Sequence, residues 1–284
     1  MIKLKLLILI IMISTLYVQE KHSLKVTGGN FVTVDGVQFH YRKGGRGPYL
    51  LLLHGFTLSS DQWTEYFDKF AEQYTVIALD FPGHGKSERT GKEFNFDHWT
   101  QLTIKALEKL QIKQVKAIGH SYGAITLMSI ARQQPDLIKA MVLISGAHRL
   151  DSTMQAILLE DSFEKADVDL QNFYRKIHRD NMEQIQGIFS DIRKFAENSS
   201  PLIREQLGEI DLPILLIFGD RDSFYSMETI AEMYNALPNA QLWVIPEQGH
   251  APVWQFMGAD ELTHQVFSKK VRQFLKHSNH VKIK

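Results

Sequence analysis

Val115-Lys116-Ala117-Ile118-Gly119-His120-Ser121-Tyr122-Gly123 runs on into Ala124-Ile125-Thr126-Leu127-Met128-Ser129-Ile130-Ala131. A short apolar segment comes first, then G-x-S-x-G, then an apolar pattern of helical period. A serine hydroxyl is a poor nucleophile unless the backbone exposes it and a base takes its proton. A sharp strand-to-helix turn supplies the exposure, and the flanking glycines let the chain make that turn without a Cβ clash. Taken alone, five loosely defined positions also describe an ordinary turn. The strand before and the helix after give the pattern its meaning.

Outward from Ser121, the same alternation repeats. Lys25–Val34 and Val37–Tyr41 read as a hairpin across Asp35-Gly36. Tyr49–Leu53 is continuously apolar, as expected of a strand covered on both faces. Further strand-like runs fall at Thr75–Leu79, Val115–Ile118, Ala140–Ile144, Ile214–Phe218 and Leu242–Ile245. Helical patterns at Asp61–Glu72, Asp97–Leu110, Tyr122–Gln133, Ser226–Leu237 and Glu261–Lys276 lie among them. Strand and helix in alternation predict an α/β fold: a mostly parallel eight-stranded sheet with helices on both faces. Between Ile144 and Ile214 no strand-like run occurs; amphipathic pieces at Thr153–Asp161, Asp167–Arg179, Met182–Glu197 and Ser200–Leu207 predict an inserted helical cap. The expected organisation is a core of 23–146 and 208–284 with a cap at 147–207.

In open α/β sheets, sites form beyond the carboxyl ends of the strands. There the chain carries His54-Gly55-Phe56, Asp80-Phe81-Pro82-Gly83-His84-Gly85-Lys86-Ser87, the Ser121 turn, Gly219-Asp220-Arg221-Asp222 and Gly249-His250-Ala251-Pro252. With these motifs in this order, the chain resembles the α/β-hydrolase family from Phe31 to Leu275, most closely its esterase- and lactonase-like members with a helical lid. The resemblance implies a triad of Ser121 as nucleophile, His250 as base and Asp222 as orienter. It also implies an oxyanion hole from the backbone N–H groups of Phe56 and Tyr122, and no cofactor. Asp220 is the other candidate acid; the family's G-x-x-D pattern selects Asp222 and leaves Asp220 to brace the loop. His54 and His84 resemble structural histidines of the family. His120 is expected to point away from the site, and His98, His148 and His178 to be surface or lid residues. Trp63, Phe224 and Trp254 are candidate pocket residues. The apolar cap residues Met154, Ile157, Leu158, Phe173, Ile177, Ile185, Ile188 and Phe189 read as pocket roof or as the cap's own core.

Composition narrows the alternatives. Of 284 residues, Lys plus Arg and Asp plus Glu number 32 each, and a net charge of zero lacks the basic excess of a nucleic-acid binder. There is no cysteine, which excludes disulfides, thiolate metal sites and a cysteine nucleophile. No H-E-x-x-H spacing points to a metal. Lys3 and Lys5 precede the apolar stretch Leu6–Val18, so residues 1–22 are expected to be a signal peptide or an N-terminal anchor facing outward, the only expected route to a membrane. The expected substrate is a small-molecule ester or lactone. The same triad acting on a C–C bond, an amide or in peroxide-dependent acyl chemistry is the alternative, and a non-catalytic receptor-like protein the third reading.

Overall fold

The computed structural model describes residues 29–197 and 204–278; the apolar leader and the start of the first expected strand lie outside them. Eight strands form one sheet in the order β1-β2-β4-β3-β5-β6-β7-β8. β1 (Asn30–Val34) and β2 (Val37–Gly44) are the antiparallel hairpin. Its turn residues Asp35 (φ 49°) and Gly36 (φ 84°) both have positive φ, the conformation an Asp-Gly pair tolerates. β2 pairs antiparallel with β4 (Thr75–Leu79). All other neighbours are parallel: β3 (Tyr49–Leu53), β5 (Val115–His120), β6 (Ile138–Ile144), β7 (Ile214–Gly219) and β8 (Ala240–Ile245).

Parallel neighbours need crossovers. α1 (Thr64–Ala71), α2 (Phe96–Lys109) and α3 (Tyr122–Gln133) supply the first three. α4 (Ser152–Glu160), α5 (Val168–Ile177), α6 (Met182–Glu197) and α7 (Arg204–Leu207) lie between β6 and β7. α8 (Met227–Ala236) joins β7 to β8, and α9 (Glu261–His277) ends the described chain. Of the fourth helical piece expected in the insertion, residues 200–203 lie outside the described range.

The run of leucines in β3 shows why the sheet is buried on both sides. Leu51 and Leu53 enter the apolar layer shared with α2, α3 and α8; Leu50 and Leu52 enter the opposite layer with Phe70 of α1 and Phe267 of α9. That is the period-2 alternation of a strand, with each buried leucine worth about 2 kcal/mol. The insertion carries a third, smaller cluster: Phe163, Tyr174, Ile185, Ile188, Phe189 and Ile192. Several helices begin on side-chain caps, among them Asn95, which accepts from His98 N–H (2.8 Å), and Asp260, which accepts from Thr263 N–H (2.9 Å). Among the described residues no helix is long and apolar enough to cross a membrane.

Candidate active site

Ser121 is a one-residue turn between β5 and α3, with φ 51° and ψ −117°. Holding a non-glycine residue there costs about 1–3 kcal/mol, so the surroundings must enforce it. Ser121 N–H donates to Ile144 O (2.8 Å), and Ser121 O accepts from Ala124 and Ile125 N–H (2.9 and 3.1 Å). The turn is also too tight for side chains around it. A Cβ on Gly119 would lie 2.5 Å from the Gly123 carbonyl, and one on Gly123 would lie 2.4 Å from Leu53 O. A serine at a helix start normally caps it. Ser121 makes no cap bond; its Oγ stands 3.0 Å from His250 Nε2 instead.

Asp222 follows β7 and His250 follows β8. His250 Nδ1 lies 3.0 and 3.1 Å from the two oxygens of Asp222. An ionised carboxylate only accepts, so Nδ1 carries the ring proton and the neutral ring offers Nε2 as acceptor to Ser121 Oγ–H. The Asp222 side chain is fully buried and also accepts from Phe224 N–H (2.9 Å). Phe224 stacks on the His250 imidazole, ring centroids 4.0 Å apart. Asp220, two residues before, is exposed at the loop surface.

Phe56 sits in the turn after β3, closed by Leu58 N–H donating to Gly55 O (3.2 Å). Its ring lies 4.1 Å from that of Tyr122, so the two expected oxyanion residues are neighbours. Tyr122 is the first residue of α3, where an N–H has no intrahelical partner and the helix end is partially positive.

Two expected pocket residues stand elsewhere. Trp63 and Trp254 are fully buried and meet edge-on (5.3 Å) in the apolar layer of α1 and α9. Gly-His-Ala-Pro-Val-Trp carries His250 at one end and turns its tryptophan into the opposite face of the sheet. Of the three candidates only Phe224 is beside the site. His148 and His178, expected as surface or lid residues, are buried too. His178 lies in the insertion but bridges to the core: its Nδ1 accepts from Gly85 N–H (3.0 Å), and its Nε2–H donates to Thr57 O (2.9 Å). Burial lowers it to about pKa 4, so the ring stays neutral and both bonds keep their sense. His54 and His84 are buried, His54 accepting from Phe81 N–H (3.1 Å) and His84 bonded to Pro82 O (3.0 Å). Ile185, Ile188 and Phe189 belong to the insertion's apolar cluster, against which Phe56 also packs.

Other contributors were not visible in the sequence. Asp151, ahead of α4, accepts from Ser226 N–H (2.7 Å) and Thr229 Oγ–H (2.6 Å), and so ties the insertion to the loop that carries Asp222. Arg89 pairs with buried Asp191 of α6 (2.9 Å). Only a single carboxylate or arginine marked each of these positions, and many surface residues share that signal.

The chain belongs to the alpha/beta hydrolase fold family, whose model matches residues 48–191. It is 29% identical over 246 residues to an uncharacterized hydrolase, YugF, of Bacillus subtilis, covering 77% of this chain and 89% of that one. It is 23% identical over 228 residues to the (E)-2-((N-methylformamido)methylene)succinate hydrolase of Acinetobacter baylyi, covering 74% and 86%. In fold it is similar to the enol-lactonase of Burkholderia xenovorans, with TM-score 0.72 at 19% identity over 87% of this chain and 100% of that one.

Proposed function

We propose that this chain is a serine hydrolase that cleaves a small or medium carboxylic ester or lactone through an acyl-enzyme. One observation carries the reading: His250 reaches Ser121 Oγ with one ring nitrogen and buried Asp222 with the other, each at about 3.0 Å. Ser121 Oγ attacks the substrate carbonyl carbon while His250 Nε2 takes its proton. The carbonyl electron pair moves to oxygen, and the N–H groups of Phe56 and Tyr122 receive that charge. Collapse breaks the bond to the alcohol oxygen, which leaves with the proton from His250. Water then gives its proton to His250 and attacks the acyl carbon; Ser121 departs reprotonated and the free acid is released. Asp222 keeps Nδ1 protonated and stabilises the imidazolium formed twice per turnover.

The insertion at 147–207 acts in this reading as the cap that selects substrates. Its support is contact: Phe195 of α6 meets Phe56 (5.6 Å) and Tyr122 (5.6 Å). The adjoining rings of Phe56, Tyr122 and Phe195 suit an apolar acyl chain. Residues 1–22 serve as an export signal or anchor, which the N-terminal residue of the exported protein would test.

Turnover tests the central reading. A panel of activated esters of rising acyl length, with lactones and amides, is assayed on wild type and Ser121→Ala. Esters or lactones should be hydrolysed by the wild type, and the variant should lose about 10⁴- to 10⁶-fold while keeping its far-UV circular dichroism. Undiminished hydrolysis by Ser121→Ala would end the proposal.

A further inference from the structure

Behind Ser121 runs a line of buried polar groups that the reaction steps above do not use. Gly55 N–H donates to Gln62 Oε1 (3.1 Å). Gln62 Nε2 meets His120 Nδ1 at 2.9 Å, and His120 Nε2 meets the main-chain carbonyl of His250 at 3.1 Å. Every role in this line is forced. A carbonyl only accepts, so His120 Nε2 carries the proton. A neutral ring then offers Nδ1 as acceptor, and the Gln62 amide donates to it. Gln62 Oε1, facing a backbone N–H, fixes the amide the same way round.

The surroundings keep the line in place. Gln62 and His120 are both at most 3% exposed. Burial, reinforced by the nearby His250, holds the His120 imidazole well below the usual histidine range, and hence neutral. Its ring packs against Trp254 (4.7 Å), and a Cβ on Gly55 would come within 2.8 Å of Nδ1. Trp254 therefore braces His120 from the far side of the sheet.

We propose that Gln62 and His120 are positioning residues that lock the loop bearing the Phe56 N–H to the loop bearing His250. The inference rests on the serine-hydrolase reading. One end of the line precedes the peptide that receives the oxyanion; the other is the main chain of the base itself. Ser121 lies between them, next in sequence to His120. The line thus holds the distance between oxyanion donor and base across the reacting carbon, a distance that matters only in the transition state. Displacing such a donor, rather than removing it, should cost about 10- to 100-fold in kcat with KM little changed.

The test is a double-mutant cycle of Gln62→Leu and His120→Phe, read as kcat and KM on an activated ester and as the rate of Ser121 labelling by a fluorophosphonate. Each single variant should lose kcat and labelling rate by about 10- to 100-fold at nearly constant KM. The double variant should lose little more than either single, because both break one line. His120→Gln, which keeps a donor near the Nε2 position, should regain most of the kcat lost in His120→Phe. Losses that multiply in the double variant, a change confined to KM, or unchanged kcat would overturn the proposal. If neither single variant folds, the nitrogen-15 shifts of His120 in the wild type decide: an Nε2–H tautomer is expected, and an Nδ1–H tautomer would break the polarity of the line. Failure of the wild type itself to label at Ser121 would count against the serine-hydrolase reading, and with it the inference.

Discussion

Replacing Asp222 by Asn should reverse the proton on His250 without moving a heavy atom. Asp222 Oδ1 accepts from Phe224 N–H at 2.9 Å, so the oxygen of an asparagine amide must stay at that position. Its NH₂ then occupies the Oδ2 position, 3.1 Å from His250 Nδ1. The NH₂ repels a protonated Nδ1 there, and the remaining amide oxygen, 3.0 Å from Nδ1, lacks the charge that held the proton, so the ring shifts toward the Nε2–H tautomer. That proton points at Ser121 Oγ, 3.0 Å away, and the base has no lone pair for the serine. A triad held in this wrong tautomer typically loses about 10⁴-fold in kcat, equivalent to about 5 kcal/mol of barrier. The assay is kcat on an activated ester for the wild type, Asp222→Asn and Asp220→Asn. Asp220 is exposed and should be replaceable within about twofold. Retention of more than a tenth of wild-type kcat by Asp222→Asn, or a large loss in Asp220→Asn, would contradict a role for Asp222 in holding the His250 tautomer.

Three other outcomes follow from particular contacts. Phe224→Ala removes the ring stacked 4.0 Å from the His250 imidazole; at about 0.5–1.5 kcal/mol for such a pair, kcat/KM should fall about three- to tenfold, and steady-state kinetics will show it. Gly123→Ala drives a Cβ to 2.4 Å from Leu53 O, a backbone atom that cannot turn aside, so stability should fall by about 3 kcal/mol or more; a melting temperature equal to wild type would contradict this. Burial raises the Asp191 carboxyl to about 6 despite Arg89, so between about pH 4 and 6 the folded chain binds a proton the unfolded chain has released. Its contribution to stability therefore falls as pH rises through that window. His178, lowered to about 4, acts in the opposite sense in both proteins. Asp191→Asn should lose less stability than the wild type between about pH 4.5 and 6.5, by about 2 kcal/mol, in urea melts at the two pH values; equal slopes would contradict it.

The strands and crossovers were legible because burial on both faces writes itself into composition. Tyr49–Leu53 has no polar residue, and the structure shows neighbouring leucines entering opposite layers. The convergence of Ser121, Asp222 and His250 was legible for a related reason: each stands just past the end of such a run, where a parallel sheet gathers side chains. The tryptophans were not legible. Trp63 and Trp254 are close in sequence to site residues, but a loop's direction after a strand decides which face its next aromatic fills. The bridges made by His178, Gln62 and Asp151 were hidden too. Each joins segments far apart in the chain, and one polar residue among many carries no mark of its distant partner.

In the proposed reaction Ser121 becomes acylated during turnover. The most direct measurement is intact and peptide mass spectrometry of enzyme acid-quenched during turnover of an activated acetate ester. One added acetyl group is expected on the peptide containing Ser121, and none in Ser121→Ala. Turnover with no acetyl on Ser121, or with the acetyl on another residue, would contradict it.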